Sequence, residues 1–298
     1  MTSFDDLIFI DNDWIYQKHY GWEILYENSS NKLLVKSFFF IRRYLLLSVD
    51  TSIEDISSII KKINYPKILS EIIIHDFSGK DLSLLIYRHQ KPQKSTPENH
   101  LLFDKTLIVN LSKSKQELWE DMSKDYQRKC LKAKNNGITI EKNTQSLRDL
   151  CSFHVDYTKF ANEKGLFLPE IQQMKSMIDK KSIILFKSMK EKEVLSQIIV
   201  YTSNKKALFL YGVNNKKSND GNGQYIQWSI MEYLKENNYL FYDLCGIRSI
   251  DPNDGLYKFK RGFTSNIVDL GSEWHYQNKS MRKLKSVLSK LKNYFYVL

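Results

Sequence analysis

The stretch Gly255-Leu256-Tyr257-Lys258-Phe259-Lys260-Arg261-Gly262-Phe263 interleaves three cations with three aromatic rings. It follows an apolar run, residues 241–246, which is typical of a buried strand that ends in glycine. The alternation predicts an extended segment with Tyr257, Phe259 and Arg261 on one face and Lys258, Lys260 and Gly262 on the other. Such a segment can anchor itself through its rings and offer ammonium groups to an anion. A half-buried strand with a solvated basic face has the same pattern, so these residues leave both interpretations open.

The rest of the chain predicts a mixed α/β protein with two domains. At 298 residues, 42% of them hydrophobic, it is long enough to bury two cores. Apolar periodicity predicts strands at residues 22–26, 33–40, 44–49, 72–74, 82–87, 106–111, 138–141, 182–189, 194–202 and 206–213. It predicts helices at residues 14–20, 53–63, 114–137, 147–162, 170–180 and 224–236, and a basic amphipathic helix from residue 280 on. The polar, proline-containing residues 89–100 are the predicted linker.

Charge is distributed unevenly along the chain. The net charge is +11, yet residues 1–100 carry 12 Lys/Arg against 13 Asp/Glu, which leaves 33 against 21 for residues 101–298. A basic field of this kind favours polyanionic partners such as RNA, nucleotide diphosphates or an anionic membrane surface. A Lys-, Asn- and Ile-rich composition would also result from an AT-rich genome.

Several classes of protein are excluded by what the sequence lacks. No apolar run approaches the ~20 residues of a membrane span, and the acidic start does not resemble a secretory signal, so a cytoplasmic protein is predicted. Cys130, Cys151 and Cys245 are far apart and form no C-x-x-C pair. We therefore expect small buried side chains rather than disulfides or a metal site. Walker, Rossmann, G-x-S-x-G and H-E-x-x-H motifs are all missing from the sequence.

A glycine-containing loop, residues 214–223, precedes the predicted helix at 224–236. A helix start after such a loop can hold a phosphate or carboxylate with its backbone N–H groups, which makes Gly221 and Gly223 candidate binding residues. Ordinary turns use the same residues.

The order of elements, together with Phe259-Lys260-x-x-Phe263 and the upstream Asp243-x-x-Gly246, resembles the FemXAB family. These aminoacyltransferases consist of two GNAT-like domains and transfer an amino acid from aminoacyl-tRNA to an amine of a peptidoglycan precursor. Further matching residues are Leu118-Trp119, Met122, Arg128, Ala133, Gly137-Ile138, Gly221, Gly223, Gly255 to Lys258 and, near the N-terminus, Trp14 with Gly21-Trp22. Thr264 stands where the family usually has glycine, and the arginine-rich stretch of the family is reduced to Arg128 among lysines.

The resemblance implies a domain arrangement and a site. It implies a first GNAT-like domain of residues 1–100 with 273–298 and a second of residues 101–272 that carries the active site, without a coiled-coil insertion. Lys260 is implied at the centre of this site. A fixed cation there can stabilise the oxyanion that forms when an amine attacks an ester carbonyl. The Phe259 carbonyl can accept a hydrogen bond from that amine, and Asp243 is either a helper or a turn-capping group.

The remaining candidates are substrate-binding residues. Tyr211 and Tyr257 are expected to line the pocket, although core packing is the stronger interpretation of Tyr211. Lys258 is expected to face substrate beside them, and Arg128 and Lys132 to contact phosphates. No cofactor and no metal are predicted.

Three functions are compatible with these features. The first is the tRNA-dependent aminoacyltransferase, a monomer that uses aminoacyl-tRNA and a nucleotide-sugar or lipid-linked amine acceptor, with peripheral contact to the inner face of the membrane. The second is a GNAT-like N-acyltransferase that uses acyl-CoA or an acyl carrier protein on an amino sugar or natural-product amine. The third is a binding module for RNA or a membrane surface, which would not be an enzyme.

Overall fold

A computed structural model describes residues 22–38, 41–63, 69–95, 101–143, 146–166, 168–214, 220–277 and 280–284. The strands are β1 (Glu23–Glu27), β2 (Asn31–Phe38), β3 (Ile41–Ser48), β4 (Leu69–Asp76), β5 (Gln93–Lys94), β6 (Lys105–Asn110), β7 (Ile138–Asn143), β8 (Ile183–Lys190), β9 (Glu193–Ser203), β10 (Lys206–Asn214), β11 (Phe241–Ile247), β12 (Ile267–Asp269) and β13 (Ser272–Gln277). The helices are α1 (Ile53–Lys62), α2 (Lys115–Asp121), α3 (Lys124–Asn135), α4 (Leu147–Lys164), α5 (Ile171–Asp179), α6 (Asn222–Glu236) and α7 (Gly255–Arg261).

The chain divides into two compact units, with divisions at Lys105/Thr106 and at Val268/Asp269. The helix predicted at residues 14–20 lies outside the described residues. So does the C-terminal basic helix, except for residues 280–284, which are helical. No helix in the described part of the chain is long and apolar enough to cross a membrane.

The first unit is a six-stranded sheet in the order β1-β2-β3-β4-β13-β5. β3 and β4 are parallel, and α1 is the connection between them. Ser52 caps the first turn of α1, which buries Ile56, Ile59 and Ile60 in the apolar core of this unit.

The sheet of the first unit carries buried polar groups on the face opposite that core. His275 contacts Glu71 through Nδ1 at 2.9 Å and Glu273 through Nε2 at 2.7 Å, and Arg43 Nε donates to Glu71 at 2.9 Å. Burial opposes the charged form of His275, but its hydrogen bonds to the two carboxylates raise its pKa. Glu71 of β4 therefore shares the imidazole of His275 with Glu273 of β13, and these buried polar groups satisfy one another across the sheet.

Two features of this unit differ from the predictions. Residues 82–87 are not a strand. They form turns in which Leu82, Leu85 and Tyr87 are buried while Leu84 and Ile86 are exposed. Burial along this apolar run therefore does not alternate from residue to residue as it would in a strand. β5 lies in the predicted linker and pairs with β13.

The second unit is a seven-stranded sheet in the order β12-β6-β11-β10-β9-β8-β7. The predicted antiparallel meander is present as β8, β9 and β10. Tyr242 and Leu244 of β11 belong to the large core that α3 and α6 cover, so strand alternation places Asp243 on the opposite face of the sheet.

The single long helix predicted at residues 114–137 is wrong, because α2 and α3 are separate helices. Met122 is extended, and Ser123 caps α3 by accepting from the Tyr126 N–H. The side-chain amide of Gln127 donates to the carbonyls of Trp119 and Met122, which satisfies the end of α2. Apolar residues spaced by four continue through the break, which is why periodicity did not reveal it.

The extended conformation predicted for residues 255–263 is also wrong. Asp254 accepts from the Tyr257 N–H at 2.7 Å and caps the short helix α7. Phe259 and Phe263 then lie one helical turn apart and pack edge to face, each also against Tyr126. The helix separates the cations differently from an alternating strand: Lys260 is buried, whereas Lys258 and Arg261 are exposed.

The cysteines were expected to be buried, and this is wrong for one of them. Cys130 is buried and Cys245 is half-buried, but Cys151 is exposed. All three are free thiols.

Two glycines with left-handed backbones provide a matched test of packing in the second unit. Gly137 (φ +76°) has nothing within 4 Å of a Cβ built on it, whereas a Cβ on Gly221 (φ +84°) would lie 2.2 Å from the Lys129 carbonyl oxygen. We expect Gly137→Ala to cost about 1 kcal/mol of unfolding free energy, from backbone strain alone. Gly221→Ala should cost roughly 3 kcal/mol, because α3 must also move. Urea denaturation measures both values, and equal losses would contradict the close approach of α3 to the start of α6.

Candidate active site

The two parallel strands at the centre of the second sheet are paired only at one end. β10 pairs with β11 through Lys206–Leu208 and Phe241–Asp243, and no further pairing is recorded between them. β10 continues to Asn214 against β9, with an irregularity between Phe209 and Tyr211. Beyond Asp243, therefore, β11 no longer pairs with β10, although it continues as a strand to Ile247 beside β6.

Lys260 of α7 is the buried cation next to this point, with 6% of its surface exposed. Its ammonium donates to the carbonyl of Cys245 at 3.0 Å and to that of Gly246 at 2.8 Å. An ammonium has three N–H bonds, and the hydrogen bonds recorded among the described residues use two of them. Burial lowers the Lys260 pKa, while Cys245, Asp243 and Asp254 oppose that shift.

Asp243 lies two residues before the first of these carbonyls, and it is 4% exposed. Its Oδ1 accepts from the Thr106 hydroxyl and, at 2.7 Å, from the Cys245 N–H. Its Oδ2 is buried and has no hydrogen-bond partner among the described residues. Burial raises the pKa of Asp243 to about 6, against the effect of the bonds from Thr106 and Cys245 and of the Lys260 charge.

Phe259 brings α7 to the start of α6. A Cβ on Gly223 would lie 4.0 Å from the Phe259 ring, an ordinary van der Waals distance, so the two residues are neighbours. The Phe259 carbonyl is in the last turn of α7 and receives the Gly262 N–H at a long 3.3 Å. Carbonyls at a helix C-terminus lack helical partners, so this oxygen retains accepting capacity.

Gly221 precedes the first turn of α6 and contacts the backbone of α3 at Lys129. One N–H of that turn, that of Asn222, is satisfied by Asp220 Oδ1 at 3.0 Å. The side chain of Asn222 is buried and accepts from Ser196 Oγ at 3.0 Å. The helix start is thus fixed on both sides, by α3 and by β9.

The other predicted site residues lie on α7, β10 and α3. Tyr257 is half-buried, and Lys258 is exposed on α7. Tyr211 is buried, with its ring 5.2 Å from that of Tyr157 on α4, as its interpretation as a core residue requires. Arg128 and Lys132 are exposed on α3, and Arg128 pairs with Asp125 at 3.1 Å.

Two residues near Lys260 were missed by sequence reasoning. Thr106 lies on β6 and is fully buried against Asp243. Cys245 has φ +70°, which is unusual for a residue other than glycine. Neither had a sequence signal of its own, because a single Thr in a strand and a single Cys before a Gly are common. No group of His, Cys, Asp or Glu suited to a metal ion occurs within the described ranges.

The sequence of this chain is similar to those of known proteins. Residues 168–290 match the model of the FemAB family. The chain is 28% identical over 128 residues to the UDP-N-acetylmuramoylpentapeptide-lysine N(6)-alanyltransferase of Weissella viridescens. That match covers 41% of this chain and only 37% of the relative.

Solved structures extend the similarity to nearly the whole chain. The crystal structure of FemX superposes with a TM-score of 0.68 at 15% identity and covers 95% of this chain and 94% of its own. The chain is thus similar to the FemXAB proteins, in sequence over residues 168–290 and in fold over nearly its whole length. The predicted resemblance is therefore confirmed, and so is the predicted fold class, mixed α/β with two GNAT-like units in tandem.

Another solved structure shares this fold. L-PGS from Bacillus licheniformis superposes on the FemXAB-like chain with a TM-score of 0.55 at 11% identity and covers 91% of it and 89% of its own chain. At such low identity the similarity concerns the fold alone. The FemAB match, in contrast, spans α6, β11 and α7 and so contains Gly221, Asp243, Phe259 and Lys260.

The raised pKa of Asp243 predicts a specific dependence of stability on pH. The folded protein binds this proton more tightly than the unfolded chain, so stability falls as the pH rises from about 4 to about 6. Asp243→Asn has no such group. Between about pH 4 and pH 7, wild type should lose on the order of 2 kcal/mol relative to this variant. Thermal unfolding of both proteins across that range measures the difference, and a constant gap would show that Asp243 is not buried as a carboxyl of raised pKa.

Proposed function

We propose that the protein is an aminoacyltransferase that moves an amino acid from aminoacyl-tRNA to an amine of a peptidoglycan precursor and forms an amide. The observation that carries this proposal is the buried Lys260 ammonium, held by two backbone carbonyls at the point where β10 and β11 cease to pair. Lys260 lies within the segment that matches the FemAB family. The relative from Weissella viridescens, named for alanyl transfer to a lysine N6, supports a side-chain amine as the acceptor.

The reaction requires a neutral amine to attack the ester carbonyl that joins the amino acid to tRNA. The new C–N bond pushes the carbonyl electrons onto oxygen. The remaining N–H of Lys260 is suited to stabilise that oxyanion, because it is fixed and enclosed before the reaction begins. When the C–O ester bond breaks, the ribose oxygen leaves and takes up the proton that the amine nitrogen gives off.

The Phe259 carbonyl has a complementary role in this proposal. It accepts a long hydrogen bond from the Gly262 N–H and lies one residue before Lys260. An attacking amine that donates to this oxygen directs its lone pair away from it, toward the carbonyl carbon. Because the acceptor is a backbone atom, no side-chain substitution removes it. Tyr257 and Lys258 belong to the same helix and are proposed to contact substrate, with Tyr211 behind them.

Substrate phosphates are proposed to lie along α3. Arg128 and Lys132 are exposed there, and Lys129 of the same helix contacts Gly221 at the start of α6. Basic side chains beside a helix N-terminus favour an anion such as the tRNA backbone or the diphosphate of the acceptor. Association with the membrane surface and a monomeric state remain part of the proposal.

Lys260→Ala and Lys258→Ala form a matched test of the catalytic cation. Lys260→Ala should lower kcat by roughly a hundredfold or more, because a preorganised oxyanion-stabilising group is lost. Lys258→Ala should raise KM and leave kcat within a few-fold, because an exposed cation contributes through screened charge. The measurement is mass spectrometry of the amide formed from alanyl-tRNA and a UDP-N-acetylmuramoyl-pentapeptide that contains lysine. If Lys258→Ala removed turnover and Lys260→Ala did not, the catalytic cation would be the exposed one.

Transfer from acyl-CoA is the second function that the geometry favours. The observation behind it is the start of α6, a helix of 15 residues whose N-cap, Gly221, lies against Lys129 of α3. If acyl-CoA were the donor, CoA alone should raise the melting temperature and compete with turnover. The tRNA-dependent function predicts neither effect and requires charged tRNA for product. A protein that only binds RNA would form no product with any charged tRNA.

A further inference from the structure

We propose that Thr106 and Asp243 are positioning residues: they hold β11 in a bend at Cys245, and this bend turns the Cys245 and Gly246 carbonyls onto the Lys260 ammonium. The inference rests on the proposed function only where activity is the readout. It assigns a role to Thr106, which no motif in the sequence indicated. It also makes Asp243 a group that acts through the backbone rather than by contact with substrate.

The two carbonyls could not hold Lys260 if β11 were regular. Successive carbonyls of an extended strand point in opposite directions within the sheet, so one ammonium cannot bind both. Lys260 nevertheless binds Cys245 and Gly246 together, at 3.0 and 2.8 Å. The positive φ of Cys245, +70°, is the departure from strand geometry that makes this convergence possible.

A residue other than glycine needs a reason to adopt that conformation, because it costs on the order of 1–2 kcal/mol. Asp243 provides the reason. Its Oδ1 accepts from the Cys245 N–H at 2.7 Å, two residues ahead, which is the hydrogen bond of an Asx turn. Pairing with β10 ends at Asp243, so the β10 ladder does not extend to this turn.

Thr106 fixes the carboxylate that makes the turn. It lies on β6, the neighbour of β11 opposite β10, and its hydroxyl donates to the same Oδ1. Both residues are buried, Thr106 at 0% exposure and Asp243 at 4%. Asp243 Oδ2 is enclosed as well, so a substrate amine has no path to it in this conformation. Thr106 therefore affects Lys260 through a chain of contacts: Thr106 binds Asp243 Oδ1, Oδ1 binds the Cys245 N–H, and the Cys245 carbonyl binds the ammonium.

The charges around Asp243 fix the direction of its pH dependence. Lys260 faces the carboxylate, Asp254 and Cys245 act on Lys260, and the neighbouring Tyr242 hydroxyl is bonded to Gln227. The bond from Thr106 favours the charged carboxylate. Removal of that bond must therefore move the titration of Asp243 to higher pH, and loss of the carboxyl must abolish it.

The first test compares Thr106→Val, which keeps the shape, with Thr106→Ser, which keeps the hydroxyl. Thr106→Val should lower kcat about tenfold with little change in KM for alanyl-tRNA, and it should move the acidic limb of the kcat profile to higher pH. Thr106→Ser should restore both the rate and the position of the limb. The Asp243→Asn enzyme should lack the acidic limb that the titration of Asp243 produces. A Thr106→Val enzyme that is less stable but has an unchanged pH profile would overturn the proposal.

The second test alters the bend itself. Cys245→Gly adopts a positive φ without strain, whereas the β-branched Cys245→Val resists it. Cys245→Val should therefore lose at least about tenfold more activity than Cys245→Gly. Equal activities would overturn the proposal even if the Thr106 variants failed to fold.

A third measurement needs no substrate and separates this inference from the proposed function. The infrared band of the protonated Asp243 carboxyl, identified by subtracting the Asp243→Asn spectrum, reports its titration directly. We expect the band to persist to higher pH in Thr106→Val than in wild type. If the band moves but wild type forms no amide, the proposed function fails and the positioning role stands. If the band stays, the positioning role fails whatever the enzyme's activity.

Discussion

The arrangement of α7, β11 and α3 in the second unit depends on the contact of the Lys260 ammonium with the carbonyls of Cys245 and Gly246. An ammonium enclosed at 6% exposure is costly unless hydrogen bonds replace its water. Here the acceptors are neutral carbonyls rather than a carboxylate within ion-pair distance. The positive charge is thus held in place but not neutralised by its closest partners, which leaves its field available for a negative charge that develops nearby.

Both ends of α7 are fixed so that this contact persists. Asp254 caps the start of the helix, and the Gly262 carbonyl near its end accepts the Ser123 N–H at 2.9 Å. Ser123 is also the residue that caps α3 and follows the break after α2. A Cβ on Gly262 would lie 2.2 Å from the Tyr126 ring, so the two helices touch without a side chain between them. The helix break that periodicity failed to show is therefore what brings the start of α3 to the end of α7.

Local patterns predicted those elements whose determinants lie within a few residues. The meander β8–β10, the strand β11 and α6 follow from apolar runs interrupted by polar turns. The predicted conformation of residues 255–263 was wrong because three rings interleaved with three cations fit a strand as well as a short helix. Asp254, the residue that caps the helix, lies just before this stretch. The family resemblance indicated Lys260 rather than Lys258 or Arg261. The helix explains this difference, because it buries Lys260 and leaves the other two cations exposed.

Other features depend on residues too distant in sequence for any local pattern to connect. Thr106 and Asp243 are 137 positions apart, and their hydrogen bond exists only because β6 and β11 are neighbours. The polar residues of β13 likewise do not resemble a buried strand. His275 and Glu273 become acceptable in a core only beside Glu71, which is 204 positions from His275. Sequence can show that such residues exist, but only the topology shows that they satisfy one another.

The position of β13 has a consequence for the order in which the protein can be assembled. This strand lies between β4 and β5 in the first sheet, yet it is synthesised after every strand of the second unit. While the chain emerges from the ribosome, β4 has an open edge and β5 has no partner until residues 272–277 arrive. All described strands of the second unit, β6 to β12, have been synthesised before β13. The half of the protein that is synthesised first is thus completed last, and its nascent sheet must remain open throughout the synthesis of the second unit.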